Sequence, residues 1–576
     1  MTCDKNNNFN KQWTIKISIK SLDFYKNGEA VLNIVDNGTE CMKLYKLNKL
    51  LYLELKTTEK EQPLVLETDY KDLSNELEII WFECRVELWV NGSLRDEEWP
   101  IGDCLVNQKN IEAVNSDRIN IIYYEHANRK KLEYKKINDI QYWAPELGRH
   151  NVGDCMPFAD YDTYHLFYLK DRHQHKSKWD SGAHQFAHIS TKDMINWEEH
   201  NIAIEITHQW EGSICTGSII RSGNKYYGFY AVRMADGSSA KISYAVSDDC
   251  INFRKSEKYF SLTEPYERTS VRDPEVFLGE DGKYHMLLTT DYLNNKVMER
   301  RGCLAHMTSN DLENWVQEEP FLIPGYTDQP ECANYFEWNG WYYLIFSNYG
   351  TAKYRYSRNP FGPWVCPDNE ILDGLLYRVP KTALFKNRRI AAGFLCINVN
   401  GDSYAGSVAL RELKQKEDGT LAIGFVKELT PENNKNIICE KLFTNANGGY
   451  EQTKLYGVDE YIKIDIKSKN KIGSYGLIFS TPEEQGYEIR IDVSRKTLGV
   501  YKAHSCLYYN PTKRVISELE NIEAGCVLEV ILKNDILDIC INNERTLLCR
   551  MKENWSVKHV EWDFFVKDGN VAFEYC

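Results

Sequence analysis

Aromatic and β-branched residues recur along this chain in short runs that alternate with polar positions. The clearest are WTIKISIK from residue 13, YHLFYL from 164, YYGFYAV from 226, YHMLLTT from 284, YYLIFS from 342, YIKIDIK from 461 and YEIRIDV from 487. Two-residue alternation bounded by Asn, Asp and Gly turns predicts half-buried β-strands, because successive strand side chains face opposite ways. No long run carries the 3.6-residue spacing of an amphipathic helix, so the chain reads as all-β.

The middle of the chain repeats itself. TKDMINW (191–197), SDDCINF (247–253) and SNDLENW (309–315) each place an Asp four residues before an aromatic, and SRNPFGPW (357–364) is a looser fourth copy. The anchors Trp197, Phe253, Trp315 and Trp364 are 56, 62 and 49 residues apart. Such a period, with several strands per unit, predicts propeller blades, each a small sheet that buries both faces by stacking on its neighbours. A further unit around Tyr377–Phe394 brings the expected number of blades to five. Asp193, Asp249 and Asp311 recur at one position and are expected to form turns through local backbone bonds.

The flanks lack that repeat but keep the strand pattern, as in VELWVNGSL (86–94) and LDICINNERTLL (537–548). The expected organisation is an amino-terminal β-sandwich-like domain over 1–127, a five-bladed β-propeller over 140–430 and a carboxy-terminal β-sandwich over 437–576. The joins are the lysine-rich NRKKLEYKKIND (128–139) and TPENNKN (430–436).

Composition narrows the partners. The chain has 576 residues, 43% hydrophobic and 27% charged, with a formal net charge of −14. That acidity disfavours a nucleic-acid or anionic-membrane partner, which needs a basic face. The amino terminus has no apolar core of a signal peptide, and the 17 cysteines are odd in number and sit mostly inside strand-like runs. A cytoplasmic protein with buried, reduced thiols is expected. The histidines at 165, 173, 175, 184 and 188 invite a metal reading, but a strand, a neighbouring strand and a polar loop account for them; neither metal nor cofactor is expected.

The repeat brings carboxylates together. Asp154 lies 10 residues before Tyr164, Asp273 lies 11 before Tyr284, and Glu331 lies 11 before Tyr342; the corresponding place in the second blade is Cys215 or Thr216. The strand preceding each aromatic strand is expected to be the innermost, so three acids from three blades meet at the channel mouth. Crowded carboxyls raise one another's pKa, which keeps one protonated as a general acid while another acts as nucleophile or base. Glycosidic bond cleavage needs that pair. Arg272 beside Asp273 adds directed donors for carboxylate and sugar hydroxyls. Gly153 allows close backbone approach, and Trp210 offers a flat face for a sugar ring at the presumed rim.

The order Asp154, YHLFYL, Ala187-His188-Ile189-Ser190 with TKDMINWEEH, Cys215-Thr216-Gly217-Ser218, RDPEVF (272–277) and ECANYFEW (331–338) resembles glycoside hydrolase family 32, the β-fructosidases. The resemblance covers about residues 145–430 and, more weakly, the carboxy-terminal sandwich. It implies a retaining hydrolase of β-fructofuranosides, with an oligosaccharide as partner. Asp154 matches the nucleophile, Glu331 the acid/base and Asp273 the residue that holds ring hydroxyls, assisted by Arg272. The chain departs from the family where Gly153-Asp154-Cys155-Met156-Pro157 stands for the usual Asn-Asp-Pro-Asn-Gly, Leu169 for Gln and Phe186 for Trp. Two rivals follow: a propeller hydrolase of α-arabinofuranosides or β-xylosides, and a carbohydrate-binding protein on a degenerate hydrolase scaffold. Linkage, chain length, exo or endo action, transfer against hydrolysis and oligomeric state stay open.

Overall fold

The computed structural model describes residues 12–69, 76–82, 84–112, 117–130, 134, 136–145, 150–172, 183–398, 403–431, 440–455, 460–468, 473–481, 484–502, 514–551 and 560–575. Their regular secondary structure is nearly all strand, and none of their helices is long and apolar enough to cross a membrane.

The amino-terminal region is two antiparallel sheets. One has five strands in the spatial order Ser93–Glu98, Arg85–Val90, Glu76–Phe82, Trp13–Ile19, Ile119–Tyr124; the other runs Ala30–Asp36, Thr39–Leu47, Leu50–Leu55, Leu64–Asp69. Trp13, Ile15, Ile17 and Ile19 from one sheet and Leu51, Leu53 and Leu55 from the other share one buried core, so the alternation in the sequence becomes the inner faces of a sandwich.

Five blades follow. Their innermost strands are His150–Asp160, Glu211–Ser222, Arg272–Leu278, Glu331–Trp338 and Tyr377–Phe385, and each pairs antiparallel with the next strand outward. Each innermost strand packs against that of the following blade, and the fifth packs against the first, which closes a ring of five. The repeated aspartates do what their recurrence predicts. Asp193, Asp249 and Asp311 each accept the backbone N–H two and three residues on, and each also takes the side-chain amide of Asn196, Asn252 or Asn314. Those bonds hold Asp193 and Asp249 at about 2.

Beneath the mouth the channel is plugged by a buried polar network. Lys381 of blade 5 donates to Gly217 O of blade 2 (2.8 Å) and to Glu275 of blade 3 (3.0 Å), and Glu275 accepts from Asn334 of blade 4 (2.9 Å). One cation thus ties blades that are far apart in sequence.

In the carboxy-terminal region, Glu561–Tyr575 pairs along its first half with Ser474–Thr481 and along its second with Tyr461–Ser468, so one strand serves both leaves around a single core. The join at 432–439 lies outside the described residues. Both flanking regions anchor to the blades at the ring's closure. Asp96 takes two bonds from Arg172 of blade 1 (3.0 and 2.8 Å), and Glu97 pairs with Lys170. At the other end Arg411 of blade 5 donates to Asp538 (2.8 Å) and Asp373 (3.3 Å), all three fully buried, and Tyr142 donates to Asp538 (2.6 Å). Burial pushes Asp538 up to about 6 against the pull of Arg411.

Removing one member of a buried ion cluster strands the others. Arg411→Met should therefore lower the stability of the propeller and carboxy-terminal sandwich by about 3–5 kcal/mol. Urea unfolding checks this, and an unchanged midpoint would contradict the anchoring role.

Candidate active site

Each innermost strand carries a β-bulge at the same level. The pairing register slips between Val152 and Cys155, Cys215 and Gly217, Arg272 and Glu275, Glu331 and Asn334, and Arg378 and Lys381. A bulge adds an unpaired residue and re-aims its side chain. In blades 3 to 5 that residue has positive φ: 57° at Asp273, 53° at Cys332 and 39° at Val379. Non-glycine residues adopt this conformation only where their surroundings enforce it. In blades 3 to 5 two levels result: Arg272, Glu331 and Arg378, each the last paired residue before its bulge, share one, and Asp273, Cys332 and Val379 share the next, while Asp154 and Thr216 lie within the bulges of blades 1 and 2.

This register corrects the sequence count. Arg272 faces Thr289 and Glu331 faces Ser347, so Glu331 occupies the level of Arg272, and Cys332 that of Asp273. The hairpin from Leu278 to Tyr284 is one residue longer than that from Glu337 to Tyr342, which hides the offset from simple counting. In blade 2, Thr216 rather than Cys215 takes the acid's level.

The three acids nevertheless share one hollow. Thr216 Oγ1 donates to Asp154 Oδ2, and the Cys332 thiol lies 3.5 Å from the same oxygen. Asp273 accepts from the Cys332 backbone N–H (3.0 Å) and from Thr289 Oγ1 (3.2 Å). Arg272 donates to Glu331 Oε1 (2.8 Å), with its Nε 3.8 Å from Asp273, and is fixed by Gln329 (2.6 Å) and Ser270 O (2.9 Å). Asp273 is buried, whereas Asp154 and Glu331 are half-buried and reachable.

Burial, and then the Asp273 carboxylate, raise the pKa of Asp154 against bonds from Thr216 and Tyr404 that lower it. Burial also raises Glu331; Arg272 offsets part of this, while Asp273 and Asp154 add to it. The crowding expected from the sequence is present. Asp154, Asp273 and Cys332 bring ligand-type atoms within 4.8 Å of one another, close enough to hold a metal ion. The Cys332 thiol, pushed well above its usual pKa by burial and the two carboxylates, already serves Asp154 as a donor without one.

Sequence reasoning missed Tyr404. Its phenol oxygen accepts the Asp154 backbone N–H (3.1 Å), and a Cβ at Gly153 would sit 2.5 Å from that oxygen. The missing side chain at Gly153 is thus what admits Tyr404. His184 packs beside Tyr404, their ring centroids 5.1 Å apart, and is held between Asp171 (2.9 Å) and Ser213 (3.0 Å). No local pattern signals Tyr404, which comes from a segment between strands, and the histidine cluster that singled out His184 pointed to a metal rather than to this contact.

Other candidates fall elsewhere. Trp210 is held by His208, Tyr259 and Lys241, and none of its described contacts reaches the three acids. Leu169 and Phe186 are buried in the core between blades 1 and 2, with Met156 and Tyr230. His165 and His188 bond each other (3.0 Å), with His188 stacked on Phe167, a packed pair in blade 1. His173 and His175 lie outside the described residues.

A ring of blades of this kind has counterparts among known proteins. Residues 156–435 match the model of the glycosyl hydrolases family 32 N-terminal domain. That segment is just under half of the chain, and over it the chain is similar to glycoside hydrolase family 32. Sucrose-6-phosphate hydrolase of Bacillus subtilis (strain 168) is 27% identical over 198 residues, 33% of this chain and 39% of that protein. Beta-1,2-mannobiose phosphorylase of Thermoanaerobacter sp. (strain X514) is 33% identical over 132 residues, 20% of this chain and 42% of that one. The chain thus spans about two-fifths of the length of these curated relatives. Among solved structures, exo-inulinase from Aspergillus awamori superposes with a TM-score of 0.58 at 15% identity, over 76% of this chain and 97% of that one. Fructan 1-exohydrolase IIa from Cichorium intybus gives 0.59 at 15%, over 75% and 96%. These share the fold, a five-bladed propeller followed by a β-sandwich.

The raised pKa of Asp154 has a consequence for stability. A carboxyl whose native pKa exceeds its unfolded value near 3.9 favours the folded state at low pH, and that benefit is lost as pH rises through the native pKa. Asp154→Asn should therefore raise the melting temperature at pH 7, with the gain shrinking as the pH falls toward about 4. Scanning calorimetry at both pH values checks this, and a lower melting temperature at pH 7 would contradict the assigned burial cost.

Proposed function

We propose that this protein is a retaining glycoside hydrolase acting on β-fructofuranosides. The observation that carries the reading is the convergence of Asp154, Asp273 and Glu331 from blades 1, 3 and 4 on one hollow, with Arg272 joining the last two. The family of the propeller supplies the chemistry to test.

In this reading Glu331, whose pKa burial raises against the pull of Arg272, gives its proton to the leaving oxygen while the Asp154 carboxylate attacks the anomeric carbon. Glu331, then ionised, takes a proton from the water that releases the sugar. Thr216 and the Cys332 thiol hold Asp154 Oδ2 in place, and Tyr404 holds its backbone. Asp273 binds ring hydroxyls, because Thr289 and the Cys332 N–H fix one oxygen and leave the other to a sugar. We read the protein as working in a reducing compartment, consistent with the absence of disulfides among the described cysteines.

Glu331→Gln should lower turnover by about 10²–10⁴-fold, and Asp154→Asn at least as much, with the fold intact by circular dichroism. Proton NMR of the first product should show retention; inversion would reassign Asp154 as a base. In a screen of sucrose, inulin-type, levan-type and arabino-oligosaccharides, turnover of only the last would overturn the substrate. Sugar binding without turnover of any would replace the hydrolase with a binding protein.

A further inference from the structure

We propose that the cleft between the amino-terminal sandwich and blade 1 is a second carbohydrate site, which holds a neutral oligosaccharide apart from the catalytic hollow. The choice of a fructosyl chain as its occupant rests on the hydrolase reading above; the cleft itself does not. Its volume is about 1140 Å³, larger than the roughly 300–1,000 Å³ of an ordinary small-molecule pocket, which leaves room for more than one sugar ring. Trp89 and Ser93 belong to the sandwich wall, Trp143 and Tyr168 to the propeller wall, and the joining segment adds Tyr134. None of the three acids lines it. Tyr168 and Lys170 reach the cleft from the strand Thr163–Arg172, whereas the next residue, Asp171, holds His184 beside Tyr404 at the nucleophile. Successive strand side chains point to opposite faces, so the sheet of blade 1 separates the cleft from the hollow.

Two aromatic rings in the cleft are half-buried and already fixed. Tyr134 donates its hydroxyl to Asn201 Oδ1 (2.7 Å), and Trp143 packs edge-on against Tyr168, their ring centroids 6.1 Å apart. Rings held in place offer a sugar flat apolar faces at little ordering cost. Thr68, Ser93 and Asn138 add neutral hydrogen-bonding groups. The charges favour a ligand without one of its own. Among the described residues the lining carries five basic and four acidic side chains, close to balance. Arg85 pairs with Glu87 (3.0 Å) and Glu97, Lys170 with Glu97, Lys130 with Glu78, and Asp139 with Lys533. A phosphate or carboxylate would have to displace those partners, whereas sugar hydroxyls can share them. Two lining residues also leave a buried polar atom, Arg85 Nε and His188 Nδ1, without a hydrogen-bond partner. Such atoms are almost always paired in a folded protein, and a hydroxyl, or a water that it holds, supplies the partner.

The test titrates a short inulin-type oligosaccharide into the full chain carrying Glu331→Gln, which keeps the probe from being consumed, and counts the bound sugars by calorimetry. Two per chain are expected, one in the hollow and one in the cleft. Adding Tyr134→Ala should weaken one of them by up to about tenfold. Adding Ser93→Arg, which places a bulky side chain in the cleft, should abolish the same one, with melting temperatures near that of the parent. Any outcome in which neither cleft variant changes binding, the absence of binding included, would overturn this proposal. So would a sulfated oligosaccharide that binds the cleft more tightly than the neutral one. The hydrolase reading is judged separately, by turnover in the wild type: binding that the cleft variants weaken, in a chain that cleaves no fructoside, would keep the cleft and overturn the hydrolase.

Discussion

A backbone bulge repeated at one level of five innermost strands is the constraint on which the site depends. Each bulge turns one side chain inward from a strand that packing with its neighbours has already fixed in the ring. Rigid strands position reacting groups more closely than loops do, and carboxylates held together against their repulsion need that rigidity. Positive φ at Asp273 and Cys332 shows where the backbone departs from its preferred conformation, and the rest of the ring must hold it there.

What holds it lies below and beside the hollow. The buried Lys381–Glu275–Asn334 network crosslinks blades 3, 4 and 5. The flanking sandwiches bind blades 1 and 5, the two that meet where the ring closes, through the Asp96–Arg172 and Arg411–Asp538 clusters. Blade 1 carries Asp154 and blade 5 supplies Tyr404 and Arg378, so the geometry around the nucleophile depends on a seam that both sandwiches clamp.

The fold was legible because its signals are local: alternation marks strands, and the Asp-to-aromatic repeat marks a turn at one place in each of three blades. That Asp154, Asp273 and Glu331 come near one hollow was legible from their spacing before the aromatic strands and from the family resemblance. Their exact register was not, since a hairpin one residue longer in blade 3 and the extra residue of each bulge cannot be read from composition. Tyr404 was hidden, and His184 was visible only as one of five clustered histidines, for a different reason. They reach Asp154 from sequence distances of 250 and 30 residues, and only the closed ring makes them neighbours. Trp210 shows the converse, a residue whose sequence position at a strand start suggested the rim but whose ring is taken up by Lys241 and Tyr259.

The central claim is that Asp154 forms a covalent bond to the sugar. An activated fructosyl donor with a good leaving group needs no acid for the first step, whereas the second step still needs the base, so Glu331→Gln should accumulate the intermediate. Acid quenching during turnover, followed by peptide mass spectrometry, should find a hexosyl adduct on the peptide containing Asp154. An adduct on any other carboxylate, or product release with no adduct, would contradict the account.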